Sequence, residues 1–113
     1  MVEQYEANLY HCIGWKQGEY IAKYTTIQKN GAPYLVRTFY FGCEDKSKKT
    51  LVLTHGFMAN TVSYLSMLKS LSERYRVIAF DNMGWGLNTR IPAYFPECSD
   101  LEKAEAWILD FYE

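Results

Sequence analysis

Two short stretches carry residue types whose order and spacing are suited to chemistry. The first is Leu51-Val52-Leu53-Thr54-His55-Gly56-Phe57, an apolar run broken by His-Gly. Gly56 permits backbone conformations that a Cβ forbids. A turn there leaves the Phe57 and Met58 N–H groups without partners near the start of a helix. Free backbone donors at such a place suit a developing oxyanion; the bland alternative is a plain strand-to-helix turn. Histidine is a common general base, so His55 has to be weighed for that role. With no Ser or Asp arranged around it, a turn histidine bonded to nearby backbone is the better reading. The second stretch is Asp81-Asn82-Met83-Gly84-Trp85-Gly86, directly after Arg76-Val77-Ile78-Ala79-Phe80. Asp81 is expected to accept hydrogen bonds from the N–H groups of its own loop, residues Asn82 to Gly86. Gly84 and Gly86 supply the tight turns of that loop. Gly-x-Gly invites a dinucleotide reading, but the third glycine is absent and no helix opens there, so organisation of a loop beside a pocket is favoured. His55, Gly56, Asp81, Gly84 and Gly86 are thus loop-organising candidates, and Phe57 and Met58 the oxyanion candidates.

Stepping outward, the elements must deliver these turns to one edge. Tyr20–Gln28 and Tyr34–Phe41 are rich in β-branched and aromatic residues, and Lys29-Asn30-Gly31 between them is a hairpin turn signal. Thr50–Thr54 and Tyr75–Phe80 are short and apolar throughout, the pattern of strands buried on both faces. Between them, Asn60 or Thr61 can cap a helix over 62–74, with Tyr64, Leu65, Leu68 and Leu71 on its apolar face. Strand, helix, strand in this order predicts a βαβ unit. Residues 81–100 read as one long loop, and such loops are commonly functional. Ser99 or Asp100 can cap a last helix over 101–112, with Leu101, Ala104, Trp107, Ile108 and Phe111 on one face. Residues 1–18 are a weak helix or irregular lead-in, and 19–113 are the N-terminal part of one domain, since the buried-type strands lack enough neighbours to complete a sheet. His11 carries no role.

The chain has 113 residues, 49% hydrophobic and 22% charged, with a net charge of −1. That leaves no electrostatic case for nucleic acid. Cys12, Cys43 and Cys98 are odd in number, far apart and outside any metal-ligand spacing, so neither a disulfide framework nor a metal site is expected. Reduced thiols suit a cytoplasmic protein. The first ten residues lack the basic and apolar regions of a secretory signal, and no apolar run approaches the ~20 residues that span a bilayer. Peripheral contact with a membrane or lipid droplet remains compatible with the composition.

The two turn motifs, in this order and spacing, closely resemble those of the α/β-hydrolase superfamily. There a strand ends in His-Gly-x, a helix follows, and the next strand ends in Asp-x-x-Gly-x-Gly; here these are His55-Gly56-Phe57 and Asp81-x-x-Gly84-x-Gly86. The hairpin at Lys29-Asn30-Gly31, the charged loop, Ile91-Pro92 and Trp107 resemble the lipid-metabolism branch, which holds phospholipid lipases and lysophosphatidic acid acyltransferase-like proteins. The resemblance implies the N-terminal portion of an α/β-hydrolase fold, with the sheet incomplete: an antiparallel hairpin, a βαβ unit and a helix. It implies a serine hydrolase or acyltransferase acting on lipid or other carboxylic esters without a cofactor. Two departures stand out. Met58-Ala59 replace the glycine that usually follows, and Leu87-Asn88 replace Arg-Ser, with Arg90 displaced. In the family the nucleophile occupies Gly-x-Ser-x-Gly after the next strand, with the acid and the histidine later still. None of Ser47, Ser63, Ser66, Ser70, Ser72 and Ser99 is so flanked, so no member of the triad is expected in these residues. The alternatives are a non-enzymatic regulator of the same fold, binding lipids or a lipase, or an inactive truncated product.

Overall fold

The computed structural model describes residues 2–29, 31–90 and 101–109. Strands β1 (Tyr20–Lys29) and β2 (Ala32–Phe41) form the expected antiparallel hairpin. Lys29 pairs with Ala32, which leaves a two-residue connection, and Gly31 takes a φ of +75°. Two-residue hairpin loops need positive φ to match the twist of their strands, so glycine at this position fixes the register. Asn30 itself lies outside the described residues.

Strand β3 (Thr50–Thr54) leads through a 3-10 turn, Thr61–Tyr64, into a helix, Leu65–Arg74, and on to β4 (Arg76–Phe80). Asn60 is the cap: its side-chain oxygen accepts the Val62 N–H at 3.1 Å. The strand order is β1-β2-β4-β3, with β3 parallel to β4 and β2 antiparallel to β4. The parallel register places Thr54 beside Phe80. The two turn motifs therefore leave the sheet side by side, at the carboxyl edge where open α/β sheets bind ligands.

An N-terminal helix, α1 (Val2–Cys12), and the Leu65–Arg74 helix, α2, lie over one sheet face. Phe39, Phe41, Val77 and Ala79 are buried there with Leu68 of α2 and with Tyr10 and Trp15 of the N-terminal segment. Tyr10 packs 4.8 Å from the Tyr20 ring and 5.4 Å from Phe39, and Trp15 lies 5.0 Å from Phe41. Aromatic pairs at these separations add about 0.5–1.5 kcal/mol each beyond their buried area. Glu6 of α1 binds the Arg37 side chain at 2.5 and 3.0 Å. Burial pushes the Glu6 carboxyl above its ordinary range, against the pull of Arg37.

Strand β3 departs from the expectation of burial on both faces. Leu51 and Leu53 pack against the core, but Val52 is 56% exposed. The reason is the placement of α1 and α2 on the same side. On the other face, Ile21, Tyr40, Ile78 and Val52 form a cross-strand row. The last helix, α3, spans Leu101–Leu109, with Leu101 and Leu109 exposed. The expected continuation to Tyr112, the capping residues Ser99 and Asp100, and Ile91-Pro92 lie outside the described residues.

Candidate active site

The parallel pairing of β3 and β4 lets the two turns bond to one another. The Asn82 N–H donates to His55 Nε2 at 2.8 Å, and Asn82 Nδ2 donates to the His55 carbonyl at 2.6 Å. Since Nε2 accepts, the ring proton sits on Nδ1, which donates to the Gly56 carbonyl at 2.9 Å. The imidazole is 4% exposed with both nitrogens engaged. It has no nitrogen left to take a proton from a substrate, and it clamps the two loops together. Trp85 stands edge-on to His55, with ring centroids 6.3 Å apart.

Asp81 is 4% exposed. Its carboxylate does not collect the N–H groups of residues 82–86 that the sequence suggested. Its donors are the Thr61 N–H at 2.7 Å, the Thr61 hydroxyl at 2.6 Å and, beyond the glycines, the Leu87 N–H at 3.4 Å. A carboxylate at the first turn after Asn60 satisfies helix-start donors that have no partner within the helix. Gly86 passes directly over this carboxylate. A Cβ there would lie 1.9 Å from Asp81 Oδ2, and its φ of +55° also favours glycine. Gly84, at φ +79°, turns the Asn82–Trp85 segment.

Asn88 has a role that the sequence did not disclose. Its side chain donates to the Asp81 and Asn82 carbonyls and accepts the Arg37 N–H at 2.5 Å. It thus supplies an acceptor to β2 just past the last β2–β4 pair, Thr38 with Phe80. The only sequence signal was that Asn88 departs from the Arg-Ser pattern. Arg90 closes the loop by donating to the carbonyls of Gly84 and Gly86.

The oxyanion candidates sit in a turn closed by Ala59 N–H to Gly56 carbonyl, 3.3 Å. Met58 takes φ +55° and Phe57 does not take positive φ, which is the type II pattern. Among the described residues neither the Phe57 nor the Met58 N–H has an acceptor. Their side chains are 85% and 77% exposed, and the Phe57 ring leans edge-on against Trp85 at 5.5 Å. The arrangement can offer two backbone donors to an anionic oxygen at the sheet's carboxyl edge. A separate open cleft of about 500 Å³ lies at the opposite edge, lined by residues including Trp15, Tyr20, Tyr40, Cys43 and Lys69. Among the described residues no three His, Cys, Asp or Glu side chains gather to hold a metal. No helix among them is long and apolar enough to cross a membrane.

Comparison with known proteins agrees with this geometry. The α/β-hydrolase fold family matches residues 49–111. A probable 1-acylglycerol-3-phosphate O-acyltransferase of Oryza sativa subsp. japonica is 36% identical over 81 residues, 72% of this chain and 19% of its own length. A 1-acylglycerol-3-phosphate O-acyltransferase of Arabidopsis thaliana is 33% identical over 97 residues, 86% of this chain and 19% of its own. The chain thus spans about a fifth of the length of the curated relatives it matches. Among solved structures, a membrane phospholipase A, described as a bacterial virulence factor, superposes with a TM-score of 0.55 at 20% identity, covering 97% of this chain and 31% of that one. A putative lipase from Acinetobacter baumannii AYE gives 0.58 at 14% identity, covering 99% and 34%. With the family matching more than half of the residues, the chain belongs to the α/β-hydrolase fold family.

Proposed function

We propose that this chain supplies the oxyanion side of a serine-type hydrolase or acyltransferase acting on carboxylic esters, lipid esters in particular. The nucleophile, acid and catalytic histidine would lie outside these 113 residues. The observation that carries the reading is the Gly56–Ala59 turn at the end of β3, whose Phe57 and Met58 N–H groups have no acceptor among the described residues. A serine oxygen would attack the acyl carbonyl, and the oxygen of the tetrahedral intermediate would take these two N–H bonds. Collapse would expel the alcohol and leave an acyl-enzyme. Water or a second alcohol would then accept the acyl group, giving hydrolysis or acyl transfer. The names of the plant relatives and of the lipase-like structures support lipid esters as the substrate class. Among the described residues Cys12 and Cys43 are unbridged, which suits a cytoplasmic setting; peripheral contact with lipid surfaces follows from a lipid-ester substrate.

Deleting one donor tests the reading. Proline is favoured at the second position of a type II turn, so Phe57→Pro removes the N–H and keeps the turn. In a longer protein carrying the elbow serine, Phe57→Pro should lower kcat by about 100–1000-fold, whereas Phe57→Ala, which keeps the N–H, should leave it nearly unchanged. Equal losses in both variants would remove the oxyanion role. The 113-residue chain alone should turn over a short-chain nitrophenyl ester no faster than a blank. A second reading, a non-enzymatic regulator binding lipids or a lipase, is favoured by Met58 in a backbone conformation that suits glycine. It predicts that a serine-reactive phosphonate labels nothing in the longer protein.

A further inference from the structure

We propose that Asn88 is a positioning residue that aims the Phe57 N–H, through a relay of hydrogen bonds running head to tail from β2 to the Gly56–Ala59 turn. The relay starts at the Arg37 N–H, which donates to Asn88 Oδ1 at 2.5 Å. The amide nitrogen of the same side chain donates to the Asp81 carbonyl at 2.5 Å. The Asp81 carbonyl and the Asn82 N–H belong to one trans peptide unit, whose planarity points the two groups in opposite directions. By holding the carbonyl, Asn88 turns the Asn82 N–H toward His55, whose Nε2 accepts it at 2.8 Å. With Nε2 accepting, the imidazole carries its proton on Nδ1 and donates it to the Gly56 carbonyl at 2.9 Å. That carbonyl shares its peptide unit with the Phe57 N–H. Holding the carbonyl toward His55 directs the Phe57 N–H away from it, and among the described residues that N–H meets no acceptor.

Every group in the relay donates to the next, so its members polarise one another in the same sense, up to the Phe57 N–H itself. Asn88 and His55 are both buried, which keeps water from competing for these bonds. The Gly56 carbonyl also accepts the Ala59 N–H, but at 3.3 Å. A bond of that length fixes a peptide plane weakly, so the shorter bond from His55 sets the direction. Asn88 donates to the Asn82 carbonyl as well, at 3.0 Å. One side-chain amide thus holds the peptide units on both sides of Asn82. The effect of Asn88 on rate rests on the oxyanion role proposed above; the relay itself does not.

The tautomer of His55 reads the relay with no substrate present. On a His11→Gln background His55 is the one histidine left. At about pH 8, where imidazole is neutral, its 15N shifts should show Nδ1 protonated and Nε2 bare. Asn88→Asp keeps an acceptor for the Arg37 N–H and loses the donor, so it should bring back a mixture of the two tautomers. Asn88→Ala should do the same, and should one variant fail to fold, the other carries the test. In a longer protein carrying the elbow serine, Asn88→Asp should lower kcat by about 10–100-fold with KM nearly unchanged, the cost of a misaimed group. On the Phe57→Pro background, where the N–H to be aimed is gone, it should cost no more than about 2-fold further. Protonated Nε2 in the parent, or protonated Nδ1 alone in both Asn88 variants, would overturn the relay whatever the rate. A shifted tautomer with unchanged kcat, or an equal loss with and without Phe57→Pro, would overturn the positioning role. A longer protein inactive before any substitution would sink the oxyanion reading, and the tautomer would still decide the relay.

Discussion

Replacing Asp81 by alanine tests the link between the two halves of the βαβ unit. The substitution strips acceptors from the Thr61 N–H and hydroxyl and from the more distant Leu87 N–H. Thr61 is itself buried and its N–H belongs to the first turn after the cap, so no alternative helix acceptor exists for it. A buried donor left without a partner costs about 1–3 kcal/mol, and bonds to a charged acceptor lie at the upper end. The hydroxyl can rotate toward another acceptor, and the 3.4 Å contact to Leu87 is weak. The loss should therefore be about 3 kcal/mol, out of the 5–15 kcal/mol that is typical for a domain (roughly). With a slope of about 2 kcal/mol per molar urea, the midpoint of urea unfolding should fall by about 1.5 M. Tryptophan fluorescence can follow the transition. Thr61→Val removes only the hydroxyl; combined with Asp81→Ala it should cost about 1 kcal/mol less than the sum of the two, because the residues share a bond. A loss below about 0.5 kcal/mol for Asp81→Ala, or strictly additive effects, would refute the claim that this carboxylate holds the α2 start to the loop.

Gly86→Ala should destabilise by at least as much as Asp81→Ala in the same urea assay, because its Cβ would enter the space of the Asp81 carboxylate; Gly86→Ala on the Asp81→Ala background should cost less, and an unchanged cost would contradict the steric account. Met58→Gly should raise stability by about 1 kcal/mol, the penalty of a non-glycine residue in the left-handed region less the entropy glycine loses; a decrease would show that the Met58 side chain contributes contacts that outweigh the backbone strain. The pH dependence of Glu6 has a definite sign. Because burial raises its folded-state pKa above the ordinary 4.5, stability present below that value is lost as pH rises through the folded pKa. The parent should thus lose stability relative to Glu6→Gln on going from about pH 4.5 to neutrality, and the opposite trend would mean that the Arg37 pairing outweighs desolvation.

Local chemistry made much of this molecule legible in its sequence. β-Branched and aromatic enrichment marked β1 and β2, short continuous apolar runs marked β3 and β4, and Asn-Gly at 30–31 marked the hairpin. The helical spacing of Leu65, Leu68 and Leu71 marked α2, and both turn motifs lay where strands ended. These features follow from backbone sterics and side-chain period, which act over a few neighbouring residues. The tertiary structure decided everything that depended on distant segments. Asp81 found its donors at Thr61, twenty residues back, because the parallel register brought the start of the helix beside the end of β4. Asn88 bonded Arg37 across 51 residues because β2 continues past its last β4 pair. Tyr10 and Glu6, in a segment with no pattern to read, became a core ring and a partly buried ion-pair partner. The apolar composition of β3 implied burial but could not say which of its faces the helices would cover. Hydropathy records how much surface a residue would rather hide, and only the path of the chain determines what arrives to hide it.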